Sequence, residues 1–272
     1  MNTGALVARM TAGGQPGGGG QPGGGGKPLG LPTRITVMTG AGVSAASGVP
    51  TFRGADGLWK QFKPEALATP EAFARDPKLV WEWYAWRRQR IAACQPNTAH
   101  RVVAAWSARF PNFRLITQNV DGLHERAGAA DPIRLHGSIW EVQCRDRCAA
   151  SPPRWRDETA LYPQIPPRCP HCGGLIRPGV VWFGESLDPE VVDRASAAAS
   201  SCDIFFTVGT SSVVYPAASF VDLARQHGAF TVEINPEATP ASRHVDLVLR
   251  GPAEQVLAEI EAHSAQAFRI RT

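Results

Sequence analysis

A short apolar strand runs straight into a glycine turn near residue 40, and this combination is compatible with few folds. Residues 34–38 (Arg-Ile-Thr-Val-Met) predict the strand, and Gly40 and Gly42 begin the turn. Ala45 follows where the Gly-x-Gly-x-x-Gly/Ala pattern of dinucleotide-binding turns requires a small residue. A short helix beginning near Val43 would direct free N–H groups at a pyrophosphate. The pattern predicts a nucleotide-binding α/β unit.

The loop that follows the turn makes this prediction more specific. It continues as Ser-Gly-Val-Pro-Thr-Phe-Arg-Gly over residues 47–54 and places Phe52 beside Arg53. A dinucleotide-binding turn needs neither an aromatic ring nor a guanidinium. The pair is suited to covering a bound ligand and holding its charge.

The rest of the chain alternates short apolar strands with helices. Strands are predicted at 34–38, 113–117, 133–135, 203–208, 230–234 and 245–249, and helices at about 97–109, 188–200, 216–227 and 252–263. Such alternation predicts a Rossmann-like α/β fold, in which helices cover both faces of a parallel sheet. The carboxyl ends of the strands are polar or glycine-rich at 40–44, 118–121, 136–137, 209–212 and 235–237. Because ligands bind at this edge of a parallel sheet, we expect one large site there.

Composition divides the chain into a tail and a folded domain. Residues 1–33 are rich in glycine and proline and predict a disordered tail, and residues 34–272 predict the domain. Its Rossmann-like core is expected at about 34–54, 96–140 and 181–272. The Trp-rich helical segment 55–95 and the cysteine-containing segment 141–180 interrupt the alternation and predict a small second lobe.

Charge and hydropathy exclude several classes of protein. The net charge is +4, of which Arg9 and Lys27 in the tail contribute +2, so the domain lacks the strong positive charge of a dedicated nucleic-acid binder. No apolar run approaches the roughly 20 residues of a membrane span. The N-terminal segment has no continuous apolar signal core. We expect a cytoplasmic protein, without membrane association, that acts as a monomer.

Four cysteines have the spacing of a metal site. They are Cys144 and Cys148, followed after 20 intervening residues by Cys169 and Cys172. Four thiolates would complete the coordination shell of a structural Zn²⁺ ion, although the first pair is one residue wider than the usual knuckle. His171 could compete as a ligand, and two disulfides are an alternative that a cytosolic setting disfavours. Cys94 and Cys202 are expected to be ordinary, partly buried residues.

Taken together, these motifs resemble the sirtuin family of NAD-dependent protein lysine deacylases. The matching segments are Gly40 to Gly54, Thr117 to His124, Leu135 to Ser138, the four cysteines, Arg177 to Glu185, Gly209 to Ala217 and Ile234 to Glu237. They occur in family order from about residue 34 to the C-terminal helix. The resemblance implies transfer of an acyl group from lysine to the ADP-ribose part of NAD⁺, which yields nicotinamide, 2'-O-acyl-ADP-ribose and free lysine.

The resemblance also implies roles for individual residues. His136 is the expected base, since a histidine with a pKa near 6.5 is largely neutral at cellular pH, and Asn119 is the second catalytic residue. Asp121 is expected to bind the ribose, although it could instead cap the following helix, and His124 is read as structural. The residues expected to bind NAD⁺ are Gly40, Ala41, Gly42, Ser44, Thr51, Phe52, Arg53, Gln118, Asn119, Asp121, Gly209, Thr210, Ser211, Asn235, Glu237 and Ala253.

A Tyr-x-x-Arg pair in the Trp-rich helix bears on the substrate. Tyr84 and Arg87 share a helix face and could hold a carboxylate, the Arg as a fork of donors and the Tyr as one more. On the helix alone, a core tyrosine and a solvated arginine are the simpler interpretation. The resemblance to sirtuins that remove succinyl, malonyl and glutaryl groups favours carboxylate binding, with acetyl removal as a second activity. Val180, Trp182 and Phe183 are expected to bind the peptide, with their segment pairing as a strand.

Three other functions remain open from the sequence. A mono-ADP-ribosyltransferase would use the same cleavage of NAD⁺ with a different acceptor. A zinc-containing nucleic-acid-binding protein would need a more basic domain. An NAD-dependent dehydrogenase would not need the Phe-Arg loop or a base beside the ribose.

Overall fold

The computed structural model describes residues 3–11, 33–51 and 63–269. Within these ranges the strands are β1 (Ile35–Thr39), β2 (Phe113–Thr117), β3 (Ile133–Arg134), β4 (Gly137–Cys144), β5 (Trp155–Arg156), β6 (Ile176–Val180), β7 (Ile204–Val208), β8 (Phe230–Asn235) and β9 (Leu247–Arg250). The α-helices are α1 (Gly4–Thr11), α2 (Pro64–Leu67), α3 (Pro70–Arg75), α4 (Pro77–Ala93), α5 (Thr98–Arg109), α6 (Leu123–Arg126), α7 (Pro189–Ser201), α8 (Phe220–Gln226) and α9 (Ala253–Arg269).

Six parallel strands form the central sheet in the order β3-β2-β1-β7-β8-β9. The chain grows outward from β1 to β3 and then returns to place β7 on the other side of β1. The direction of growth therefore reverses between β1 and β7, which is where such sheets open a ligand-binding crevice. The predicted Rossmann-like fold is confirmed, and the strand ends differ from those predicted by at most two residues.

The loops after β1 and β7 touch through their backbones at this reversal point. The amide of Gly42 donates to the carbonyl of Gly209 at 2.8 Å. A Cβ atom on Gly42 would lie 2.7 Å from that same oxygen, and Gly209 itself has φ +60°. Because a side chain at either position would separate the two loops, the glycine turn is as much a packing requirement as a ligand-binding one.

Side-chain caps determine where the main helices begin. Asn97 accepts a hydrogen bond from the amide of Ala99 at 2.9 Å and so starts α5. The helix predicted over 216–227 divides into a 3-10 turn at Ala217–Ser219 and α8. The last helix, α9, continues past the predicted end because its buried face extends to Ser264. No helix in the described ranges is long and apolar enough to cross a membrane.

The small lobe has a sheet and a hydrophobic core of its own. Its antiparallel strands lie in the order β5-β4-β6 and pack against α4. The core includes Val80, Trp81, Ile139 and Val142, all inaccessible to solvent. The Trp81 indole donates to the carbonyl of Ile176 at 2.8 Å, which ties α4 to β6.

The N-terminal segment corrects one prediction. Residues 1–33 are expected to be a disordered tail, yet Gly4–Thr11 form α1, which packs against α9. Leu6 and Met10 lie four residues apart on one helix face and are buried in the main core. The Gly/Pro-rich composition that suggested a tail begins only after this short apolar segment. Residues 12–32 lie outside the described ranges.

Candidate active site

A cavity of about 970 Å³ opens where the carboxyl edge of the central sheet meets the small lobe. Most of the residues predicted to bind NAD⁺ or substrate line it. They are Gly40, Ala41, Gly42, Thr51, Tyr84, Arg87, Gln118, Asn119, His136, Val180, Trp182, Phe183, Gly209, Thr210, Ser211, Asn235, Glu237 and Ala253. Phe52 and Arg53 lie outside the described residues. The structure thus brings the glycine turn, the predicted base and the Tyr-x-x-Arg pair to one cavity.

Ser44 and Asp121, both predicted to bind NAD⁺, are buried next to the cavity lining and hydrogen-bond to each other. The Ser44 hydroxyl donates to Asp121 Oδ2 at 2.8 Å, and Asp121 Oδ1 accepts from the amide of Leu123 at 2.9 Å. Both side chains are buried behind the cavity wall. Asp121 thus accepts from the first amide of α6, whose N-cap position is Gly122. The binding of NAD⁺ by Ser44 and Asp121 stays a prediction.

Asn119 and Gln118 fix the loop after β2 against its neighbours. The Asn119 side-chain amide donates to the carbonyl of Gly40 at 3.1 Å. The Gln118 side chain donates to the Thr210 hydroxyl at 2.9 Å, which joins the loops after β2 and β7. These bonds hold three loops in register around the cavity, so the polar groups facing a ligand are positioned before it binds.

His136 is held in the tautomer that a base requires. Its Nδ1 lies 3.0 Å from the carbonyl oxygen of Gln118, and because a carbonyl only accepts, Nδ1 carries the hydrogen. Nε2 is then the basic nitrogen. Burial lowers the pKa of His136, with the Gln118 bond opposing this. The neutral form therefore predominates at cellular pH.

Two further histidines lie behind the cavity. His124 Nε2 is 2.9 Å from the Thr39 hydroxyl, consistent with the structural role read from the sequence. His100 Nε2 lies 3.2 Å from the Ser44 hydroxyl and was missed, since the sequence marks it only as a residue in the first turn of a helix. Burial lowers the pKa of His100 to about 4 and that of His124 to about 3, so both stay neutral.

Helix α4 presents Tyr84 and Arg87 to the cavity, although both are less than a tenth exposed. The Arg87 guanidinium lies 4.8 Å from the Trp83 ring centre and 5.6 Å from that of Tyr84. Burial raises the pKa of Tyr84, so its hydroxyl stays protonated. Burial also lowers the pKa of Arg87, but a guanidinium remains charged in proteins. A neutral donor and a cation thus stand side by side.

In the segment predicted to pair with a peptide, the backbone amides of residues 181–183 already donate hydrogen bonds within the protein. The amide of Val181 donates to the His136 carbonyl at 3.0 Å, that of Trp182 to Glu185 Oε2 at 2.8 Å and that of Phe183 to the Ala68 carbonyl at 2.9 Å. Val180 and Trp182 are buried, whereas Phe183 is 43% exposed. The Trp182 carbonyl is also engaged, since it accepts from the amide of Glu185 at 3.1 Å.

The sequence also missed part of the cavity wall. Val213, Val214 and Tyr215 follow the loop after β7, and Tyr215 is 76% exposed at the rim. Trp83 lines the wall beside Arg87. The motif from Gly209 to Ala217 was noted in the sequence, but only Gly209, Thr210 and Ser211 were assigned to a ligand.

The four predicted cysteines converge in the small lobe, away from the cavity. Their sulfur atoms all lie within 4.8 Å of one another, with Cys144–Cys172 at 3.8 Å and Cys148–Cys169 at 3.9 Å. Tetrahedral coordination at a Zn–S distance of about 2.3 Å places sulfurs about 3.8 Å apart, whereas a disulfide needs about 2.05 Å. The cluster fits one zinc ion. His171 packs edge-on against Trp155 and is not part of the cluster.

The sheet topology and the glycine turn at its reversal point define a Rossmann-like protein with its ligand site at that edge. Residues 40–216 match the model of the Sir2 family, and this match covers more than half of the chain. The chain belongs to the Sir2 family.

Individual relatives agree with this assignment. The chain is 54% identical over 226 residues to the "NAD-dependent protein deacylase" of Aquifex aeolicus (strain VF5), spanning 83% of this chain and 93% of that protein. A solved mutant Sir2 homologue in complex with ADP ribose has a TM-score of 0.82 at 46% identity, covering 87% of this chain and 93% of its own. A Sir2 homologue–NAD complex has a TM-score of 0.79 at 47% identity, covering 86% and 90% respectively.

Proposed function

We propose that this protein is an NAD⁺-dependent protein lysine deacylase with a preference for acidic acyl groups. The observation that carries the proposal is a single cavity lined by the glycine turn, His136 and Arg87. The deacylase relative supports the activity, and the solved NAD complex supports the co-substrate. The acyl preference is inferred from the Tyr84–Arg87 pair.

The cavity wall fits a dinucleotide. The closely packed loops after β1 and β7 leave no room for side chains, since a Cβ on Gly40 would lie 2.8 Å from the Gly209 carbonyl. We assign the pyrophosphate to this turn, and the nicotinamide ribose to the side bearing Asn119 and Gln118. NAD⁺ would supply an activated ribose carbon and nicotinamide as the leaving group.

His136 is the proposed general base. Its Nε2 carries the lone pair, and the Gln118 carbonyl stabilises both this tautomer and the imidazolium that forms after proton uptake. The base takes the proton of a ribose hydroxyl, which enables that hydroxyl to receive the acyl group. Asn119, whose side-chain amide is bonded to the Gly40 carbonyl, orients the nicotinamide ribose and takes no proton.

The acyl preference follows from charge inside an apolar pocket. The carboxylate of a succinyl, malonyl or glutaryl group would bring a negative charge to the buried Arg87 guanidinium and accept two hydrogen bonds from it. An acetyl group supplies no charge there. We also assign a structural zinc ion to the four cysteines, none of which lines the cavity.

The acyl preference is testable with succinylated and acetylated versions of one peptide, followed by mass spectrometry with and without NAD⁺. We expect NAD⁺-dependent loss of both groups and a higher kcat/KM for the succinyl peptide. Arg87→Met should lower the succinyl-to-acetyl ratio roughly 10- to 100-fold through the succinyl KM, since a charged hydrogen bond is lost. Arg90→Met, an exposed change on the same helix, should leave the ratio unchanged.

Other outcomes would decide against parts of the proposal. Equal rates on the two peptides, or faster deacetylation, would remove the acyl preference. Label transfer from NAD⁺ to protein without loss of an acyl group would instead indicate an ADP-ribosyltransferase.

A further inference from the structure

Trp182 has a hydrogen-bond partner that its position in the sequence does not suggest. Its indole Nε1 lies 2.9 Å from the hydroxyl oxygen of Tyr84, which is 98 residues away in the chain. An indole N–H can only donate, so the tyrosine oxygen is the acceptor in this bond. The hydroxyl proton of Tyr84 is consequently directed elsewhere. Arg87, beside it on α4, offers only donors and cannot receive that proton.

Trp182 is packed by neighbours at its ring and hydrogen-bonded at its backbone amide. The Arg177 guanidinium stacks 3.5 Å from the ring centre, and the Phe73 ring centre lies 5.3 Å away. Glu185 accepts from the Trp182 amide at 2.8 Å and from the Arg177 guanidinium at 2.9 Å. Only 3% of the residue is exposed. Such a ring has little freedom to reorient, so its N–H constrains the Tyr84 oxygen.

We propose that Trp182 is a positioning residue for acyl selectivity: its indole N–H occupies the Tyr84 oxygen so that the phenolic hydrogen and the Arg87 guanidinium present a convergent donor pair to an acyl carboxylate. The inference rests on the proposed acyl preference and deepens it. It replaces the expectation that Trp182 contacts the peptide backbone. The neutral tyrosine that this role requires is consistent with burial raising the pKa of Tyr84.

The test is Trp182→Phe, which keeps an aromatic ring between Arg177 and Phe73 and removes the indole N–H. We expect the succinyl-to-acetyl ratio of kcat/KM to fall about three- to tenfold, the range for one neutral hydrogen bond. The change should appear in the KM for the succinyl peptide rather than in kcat. Trp106→Phe is the matched control, because its buried indole donates to Glu261 at 2.8 Å and does not line the cavity. It should leave the ratio unchanged.

A double-mutant cycle separates positioning from general damage. In a Tyr84→Phe background the indole has no hydroxyl to position, so Trp182→Phe should not change the ratio further. An equal effect in both backgrounds, or no effect in the wild-type background, would overturn the role of Trp182. If the wild-type enzyme showed no succinyl preference and Arg87→Met had no effect, the proposed acyl preference itself would be wrong and this inference would fall with it. If the preference and the Arg87 effect persisted while the cycle was additive, the inference alone would be wrong.

Discussion

At the scale of single residues, His136 shows how one backbone contact selects a chemical state. The Gln118 carbonyl places the hydrogen on Nδ1, and burial favours the uncharged ring. Neither effect is readable from the Leu-His-Gly motif, which indicates only that a histidine follows a strand. The motif predicts which residue is the base, and the fold determines the tautomer of His136 and the downward shift of its pKa.

The pH dependence of turnover tests this state. Because burial lowers the pKa of His136, the neutral base persists below the ordinary value, and the acid limb of kcat/KM should lie below about pH 6.5. His136→Asn should reduce kcat by about 10²- to 10⁴-fold. His227→Asn, at an exposed histidine, should leave the acid limb in place. An acid limb above pH 6.5, or normal turnover by His136→Asn, would contradict His136 as the base.

At the scale of elements, α4 serves two parts of the molecule through adjacent residues. Arg87 faces the cavity, whereas the next residue, Arg88, is fully buried toward the cysteine-containing part of the small lobe. Arg88 donates to Asp157 at 3.1 Å, to the Thr159 carbonyl at 3.0 Å and to the Tyr162 hydroxyl at 2.6 Å. The helix that carries the proposed acyl selectivity is therefore fastened to the loop between β5 and β6.

Breaking this attachment should destabilise the protein. Arg88→Leu removes a fully buried guanidinium together with its bonds to the partly buried Asp157, to Thr159 and to Tyr162, and should lower the free energy of unfolding by about 2–4 kcal/mol. Arg90→Leu, two residues along on the exposed face, should change it by less than about 0.5 kcal/mol. Urea unfolding followed by tryptophan fluorescence measures both. Similar small losses in the two variants would show that the Arg88 contacts contribute little.

At the scale of the whole molecule, the features that could be predicted from the sequence are those that a local pattern of residues determines. Strand positions followed from apolar runs between turns, and the cysteine cluster from its spacing. The direction of a side chain at a strand end was not predictable, because it depends on elements distant in sequence. The Asp121 carboxylate accepts from the hydroxyl of Ser44, which lies in another loop. Trp182 turns inward because α4 brings Tyr84 to its indole.

Metal removal should affect the molecule as a whole. The cysteine cluster draws together β4, β6 and the loops beside them, and structural zinc in small domains contributes on the order of 10 kcal/mol, comparable to the total stability of a domain. We expect one zinc per chain by elemental analysis. Cys169→Ser should lose the metal and the near-UV circular dichroism of the small-lobe tryptophans, whereas Cys94→Ser, at a half-buried cysteine outside the cluster, should keep both. Full metal content in Cys169→Ser would refute the assignment.

Helix α1 has a consequence for the order in which the chain assembles. An eight-residue helix is too short to be stable alone, so its apolar face depends on a surface completed by α9 at the other end of the chain. The contact between Thr3 and His263 spans 260 residues, almost the entire sequence. Helix α1 therefore leaves the ribosome long before the helix that covers it and is among the last of the described segments to dock. Until α9 has been synthesised, Leu6 and Met10 lack that part of their native surface, and a chain terminated before α9 would display them as an apolar patch.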